Sequence, residues 1–193
     1  MPSSAAELLA GYQPQTEQEA HDLVRIRHIL RTEPDGTVPE GTVPDPWSRA
    51  TPLHLTGSAL IVHPDTRRVL LRWHARQQAW LQVGGHGDPG EDDPLAVALR
   101  EAAEETGLSD LVPWPDAALR HAVIVPVPAG RGEPAHEHAD LRFVLATASP
   151  QVVRAETADA PLRWQSTADA ARLTSEANLR ESLARLDRLE PAR

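Results

Sequence analysis

The chain has no cysteine among its 193 residues. That absence excludes disulfides, thiolate nucleophiles and cysteine-based zinc sites. Lysine is missing as well, since all 19 basic residues are arginines. Schiff-base chemistry and the phosphate-binding lysine of a P-loop are therefore excluded. No apolar run approaches the ~20 residues of a membrane span. The opening stretch MPSSAAELLA has neither a basic n-region nor a long apolar core. No signal peptide and no membrane partner are expected, and a cytoplasmic location is the default. Positive charge is in deficit, with a formal net charge of −9. That balance argues against a general nucleic-acid binder. It suits a small anionic substrate only where local positive charge or a metal ion offsets the carboxylates.

The length fits one ordinary domain with an appendage. Residues 16–33 carry a helical pattern, with Thr16 and Glu19 as a capping box and Leu23, Val24, Ile26 and Leu30 as an apolar stripe. Pro34 and Gly36 stop it, and the repeated GTVP motif that follows is expected to be a loop. Residues 1–50 are read as an N-terminal extension and residues 51–193 as the main domain. Strand signals fall at 53–63, 68–74, 79–85, 119–129, 140–148 and 160–165, and closing helices at TADAARL and SEANLRESLARLDRLE. Asp93 and Pro94 are placed as N-cap and first residue of another helix, and Gly107 as its C-cap. Strands and helices are mixed without regular βαβ alternation, so the expected class is α/β with a mixed sheet flanked by helices.

The segment REAAEETG, residues 100–107, crowds Glu101, Glu104 and Glu105 onto one side of that helix. Leu95, Ala98, Leu99, Ala102 and Thr106 fall on a different side, toward a core. Like charges at helical neighbour spacing repel, and Arg100 is placed to reach Glu104 four residues on. A solvated acidic face is the plain alternative. Two features speak against it. The acids sit in the C-terminal half of the helix, where the macrodipole disfavours them. The preceding VGGHGDPGEDDP is glycine-rich and acidic, as suits close approach to a ligand. Grouped carboxylates beside such a loop suit a hard divalent cation, which would also relieve their repulsion.

The stretch GGHGDPGEDDPLAVALREAAEETGL, residues 84–108, resembles the Nudix box, G-x5-E-x7-R-E-U-x-E-E-x-G-U with U bulky and apolar. Arg100, Glu101, Ala102, Glu104, Glu105, Gly107 and Leu108 match its second half, although Ala102 is small for U. Gly85 and Glu91 satisfy G-x5-E, but eight residues instead of seven separate Glu91 from Arg100. An extra loop residue before Asp93 keeps Glu91 in the glutamate role; strict spacing would select Asp92 and put His86 at the glycine. The resemblance covers roughly residues 52–175. It implies an α/β/α sandwich with a mixed sheet, and hydrolysis of a nucleoside diphosphate linked to another group X. It also implies one to three Mg²⁺ or Mn²⁺ ions on Glu101, Glu104 and Glu105, with the Gly85 carbonyl as a further ligand. Glu91 and Arg100 would fix loop and helix through a salt bridge. A nucleotide-type small molecule is the implied partner, and a homodimer is compatible with the family.

The general base is left among Glu101, Glu137 and Glu156. His86, Arg72 and Glu156 are candidate substrate contacts, each with an ordinary solvated or salt-bridged role as its alternative. His136 and His138 form a His-x-His pair, for which no third metal ligand stands at a recognisable spacing. A Nudix-fold nucleotide-binding module without turnover is the alternative function. An isomerase of the isopentenyl-diphosphate type is disfavoured by the missing cysteine.

Overall fold

The computed structural model describes residues 4–30, 45–130 and 132–189. The GTVP repeat and the stop at Pro34 and Gly36 lie outside the described residues. The centre is strand β1 (Leu53–His63), whose eleven residues include nine consecutive buried ones. Burial on both faces explains the continuous apolar run from Ala59 to Val62, while the buried polar residues His54, Thr56 and Ser58 are hydrogen-bonded. β1 runs parallel to β7 (His136–Ala146) and antiparallel to β2 (Arg68–His74) and β4 (Val83–His86). β2 also pairs with β3 (Ala79–Leu81) and β8 (Leu162–Ser166), and β7 with β5 (Val112–Pro113) and β6 (His121–Val127). The result is one mixed eight-stranded sheet.

Successive side chains of β1 point to opposite faces. Leu55, Ala59 and Ile61 join one core with residues of helices α1 (Ala5–Ala10), α2 (Glu17–Ile29) and α3 (Pro94–Thr106). Leu60 and Val62 join a second core with α4 (Thr167–Leu173) and α5 (Ala177–Asp187). Helices therefore cover both faces, as the sandwich requires. Among the described residues no helix is long and apolar enough to cross a membrane.

Gly57 sets how closely α3 lies on the sheet. A β-carbon there would stand 2.6 Å from the Pro94 carbonyl oxygen and 3.1 Å from the Ala98 nitrogen. Asp93 caps α3 by accepting from the Leu95 and Ala96 amides, and Gly107 ends it in the left-handed conformation at φ 68°. Val97, absent from the core stripe read in the sequence, is fully buried on α3.

The N-terminal segment differs from its sequence reading in two ways. α1 was not anticipated; Ser4 and Glu7 cap it reciprocally, and Leu9 is buried. In α2 only half of the expected capping box forms. Thr16 accepts from the Glu19 amide at 3.1 Å, but the Glu19 carboxylate turns to a buried ion pair with Arg185 at 2.8 Å. It also accepts from the Gln15 and Ala122 amides, while Asp22 accepts from the Ile124 amide. Ala122 and Ile124 expose those amides on the side of β6 away from β7, so α2 satisfies a sheet edge that would otherwise invite pairing.

Burial opposes ionisation of Glu19, but bonds from Arg185, Gln15, Tyr12 and Ala122 outweigh it and lower its pKa from 4.5 to about 2. The lowered folded value means this stabilisation is complete above the unfolded pKa and is lost as pH falls from about 4.5 toward 2. Arg185→Ala would strand the Glu19 charge. Urea unfolding at neutral pH is expected to show a loss of about 3–5 kcal/mol, shrinking as the pH is lowered through that window.

Candidate active site

The acidic face of α3 lies beside β4. Arg100 is its hub. Its guanidinium donates to both Glu91 oxygens (Nε to Oε1 3.1 Å, Nη2 to Oε2 2.9 Å) and to the His86 carbonyl at 2.8 Å. The remaining nitrogen donates to Glu101 at 3.0 Å and Glu104 at 3.1 Å. One side chain thus ties the glycine loop, the end of β4 and two of the three clustered acids together. Glu91 also accepts from the Asp88 amide at 2.7 Å, which folds the loop back on itself. Asp92, the strict-spacing alternative, is exposed.

Glu105 points the other way along the cluster. It accepts from the Gly84 amide at 3.1 Å and pairs with Arg72 at 3.2 Å. Arg72 reaches on to Glu156 at 3.5 Å. Arg72 and Glu156, nominated as substrate contacts, therefore sit at the edge of the acidic cluster. Glu137 does not; it is held by Arg25 of α2. A β-carbon at Gly85 would lie 2.5 Å from the Glu101 carboxylate and would displace it.

Burial dominates the electrostatics of the cluster. Burial raises the Glu101 pKa, with the Glu104 and Asp88 charges adding to it against the pull of Arg100. Burial likewise pushes the Glu105 carboxyl up to about 7, against Arg72 and the Gly84 amide, with Glu101 and Glu156 adding to the rise. Two half-buried carboxyls that repel each other, and an exposed third at Glu104, form an all-oxygen donor set. Such a set fits a hard divalent ion, whose charge would lower both pKa values again.

A cluster of histidines borders the same end of the sheet. His54 on β1, His86 on β4 and His138 on β7 converge, and His136 stands next to His138. The sequence reading named His86, His136 and His138 but passed over His54. The parallel register of β1 and β7 sets His54 opposite His138 and so supplies the partner that local spacing lacked. Asp140, two residues on, is buried and serves the sheet: it accepts from Thr56, Ser58 and Arg142.

The profile of the NUDIX domain matches residues 52–186, and the chain belongs to the Nudix hydrolase family. Enzymes of that family generally use divalent metal ions. Solved structures share the fold. A NUDIX-family hydrolase from Clostridium perfringens is 27% identical at a TM-score of 0.53, covering 71% of this chain and 98% of its own. The Escherichia coli dihydroneopterin triphosphate pyrophosphohydrolase is 21% identical at 0.51, covering 67% and 91%. A Caenorhabditis elegans Ap4A hydrolase is 18% identical at 0.54, covering 69% and 94%. No curated protein matches the chain.

The altered spacing of the box gives a sharp test. Glu91→Ala removes the bidentate one of the four hydrogen-bond partners of Arg100 and is expected to lower metal affinity or kcat/KM by about 10–100-fold. Asp92→Ala is expected to change either by less than about twofold, since its exposed side chain can be removed without disturbing a packed partner. The reverse order would move the glutamate role to Asp92.

Proposed function

We propose that the protein hydrolyses the diphosphate linkage of a nucleoside diphosphate linked to another group X, using Mg²⁺ or Mn²⁺ in one to three sites. The observation that carries this reading is the gathering of Glu101, Glu104 and Glu105 against β4 by Arg100 and the Gly84 amide. Glu101, Glu104, Glu105 and the Gly85 carbonyl would hold the ions. Bound there, divalent cations neutralise phosphate charge and lower the pKa of a water nucleophile.

The remaining work falls to side chains. Arg100 and Glu91 position the acids by fixing the loop that leads into α3. Arg72 bridges Glu105 and Glu156, so its guanidinium is placed to exchange a carboxylate for a substrate phosphate. Glu101 inside the cluster and Glu156 at its exposed edge are the two candidates to take the proton of the attacking water. His86 lies next to Gly85 and presents its ring to the neighbouring cavity. A nucleotide is the supported substrate class; the family places no requirement on X, which the cleft walls outside the box select.

A screen of nucleotide sugars, dinucleoside polyphosphates, ADP-ribose and nucleoside triphosphates with each metal tests the reading. At least one class is expected to be cleaved to a nucleoside phosphate product. Glu105→Gln or Glu104→Gln should lower kcat about a hundredfold or more, equivalent to ~2.7 kcal/mol of barrier. Ligand-induced stabilisation without product, across the panel and with either metal, would instead make the chain a nucleotide-binding module. Comparing Glu101→Gln with Glu156→Gln separates the two candidate bases: substitution of the true base should lower kcat and abolish the acidic limb of the pH profile, where the rate rises with pH, leaving KM nearly unchanged.

A further inference from the structure

The histidine cluster is not required by the diphosphate chemistry, yet four imidazoles meet at one point. His54 Nε2 lies 3.1 Å from His86 Nε2, and His136 Nε2 lies 3.2 Å from His138 Nε2. The His138 ring centroid is 5.1 Å from that of His54 and 4.8 Å from that of His86. One ring nitrogen from each of His54, His86 and His138 falls within 4.8 Å of the others.

The orientation of two rings is fixed by backbone carbonyls. His54 Nδ1 stands 3.0 Å from the Thr51 oxygen, and His136 Nδ1 2.9 Å from the Pro134 oxygen. A carbonyl only accepts, so each Nδ1 carries the proton and each Nε2 presents a lone pair inward. At His54 this is the arrangement that orients a metal-binding histidine and raises its basicity, while the facing Nε2 atoms of His86 and His138 donate and carry protons that an ion would displace. Two nitrogens on one tetrahedral zinc, bound at about 2.0–2.1 Å, stand ~3.3–3.4 Å apart. To accept an ion, the observed 3.1 Å between His54 and His86 needs a slight opening, and the three-nitrogen set, spread over as much as 4.8 Å, needs a side-chain closure.

We propose that His54, His86 and His138 form a second metal centre, a three-imidazole site for a borderline transition ion of the Zn²⁺ class. Imidazole nitrogen favours such ions over Mg²⁺, whereas the carboxylates of α3 favour the reverse. The two sites are therefore chemically sorted, although His86 adjoins Gly85 in sequence. The imidazole site opens on a cavity of about 390 Å³ that is also lined by Arg49 and by Arg76, which pairs with Glu133 at 2.7 Å. Three protein ligands leave a fourth position, and the adjacent Arg49 guanidinium directs it to water, hydroxide or a phosphate-type anion. The ion would also pin the ends of β1, β4 and β7 beside the acidic cluster. None of this depends on turnover by α3.

The test uses the full chain stripped with a chelator, carrying Glu104→Gln and Glu105→Gln so that the box carboxylates contribute little. Co²⁺ is titrated and its visible d–d absorption recorded. One equivalent is expected to give the strong bands of a tetrahedral ion, displaced by Zn²⁺ and insensitive to excess Mg²⁺. The further substitutions His54→Asn and His138→Ala should each weaken Co²⁺ binding at least tenfold, with circular dichroism confirming the fold. A weak octahedral spectrum in the histidine-intact protein would overturn the proposal without reference to any variant. So would an unchanged spectrum in folded His54→Asn and His138→Ala. Loss of diphosphatase activity in the Glu104→Gln and Glu105→Gln background leaves this readout intact, so the two proposals fail separately.

Discussion

One guanidinium organises the candidate active site. Arg100 contacts Glu91, Glu101, Glu104 and the His86 carbonyl, all at 2.8–3.1 Å. Without it, the acids of α3 would repel across a helix end that already disfavours negative charge. A single cation cannot neutralise the whole group, however. Glu101 and Glu105 still have raised pKa values, because burial strips them of water faster than the arginines replace it. The scaffold thus holds a partly compensated negative pocket, which favours added positive charge. Arg100 acts as the organiser, and in the proposed function a divalent ion is the complement.

The framework that supports this pocket is built by close approach. Gly57 lets α3 settle on β1, and Gly85 leaves room for the Glu101 carboxylate against β4. Since β1 pairs with β4 and β7, helix, loop and histidine cluster all refer to the same central strand. The N-terminal helices extend the same logic. Glu19 and Asp22 accept from the outer amides of β6, and Arg185 of α5 neutralises Glu19 from the opposite end of the chain. Residues outside the matched family profile, which begins at residue 52, thereby complete a sheet edge inside it.

The local features were legible in the sequence because their causes are local. β1, β2 and α4 fall where their patterns placed them, and Asp93, Pro94 and Gly107 bound α3 as capping chemistry requires. The run at 79–85 is instead two strands, β3 and β4, pairing with different neighbours. β7 starts at His136, four residues before its apolar stretch, because polar residues there pair with β1 and face a cavity. The role of Glu19 was misread for a similar reason: its sequence neighbours suggested a cap, while Arg185 lies 166 residues away. His54 was invisible as a ligand candidate because only the parallel pairing of β1 with β7 brings it to His138. Long-range register, not periodicity, supplied what the sequence pattern lacked.

The central claim is that the carboxylates of α3 hold divalent cations against a diphosphate. Mn²⁺ binding, followed by electron paramagnetic resonance with a non-hydrolysable diphosphate analogue present, tests it most directly. Bound Mn²⁺ that is tightened by the analogue and lost in Glu104→Gln and Glu105→Gln is the expected result. Equal Mn²⁺ binding in the native protein and those variants, with no response to the analogue, would contradict it.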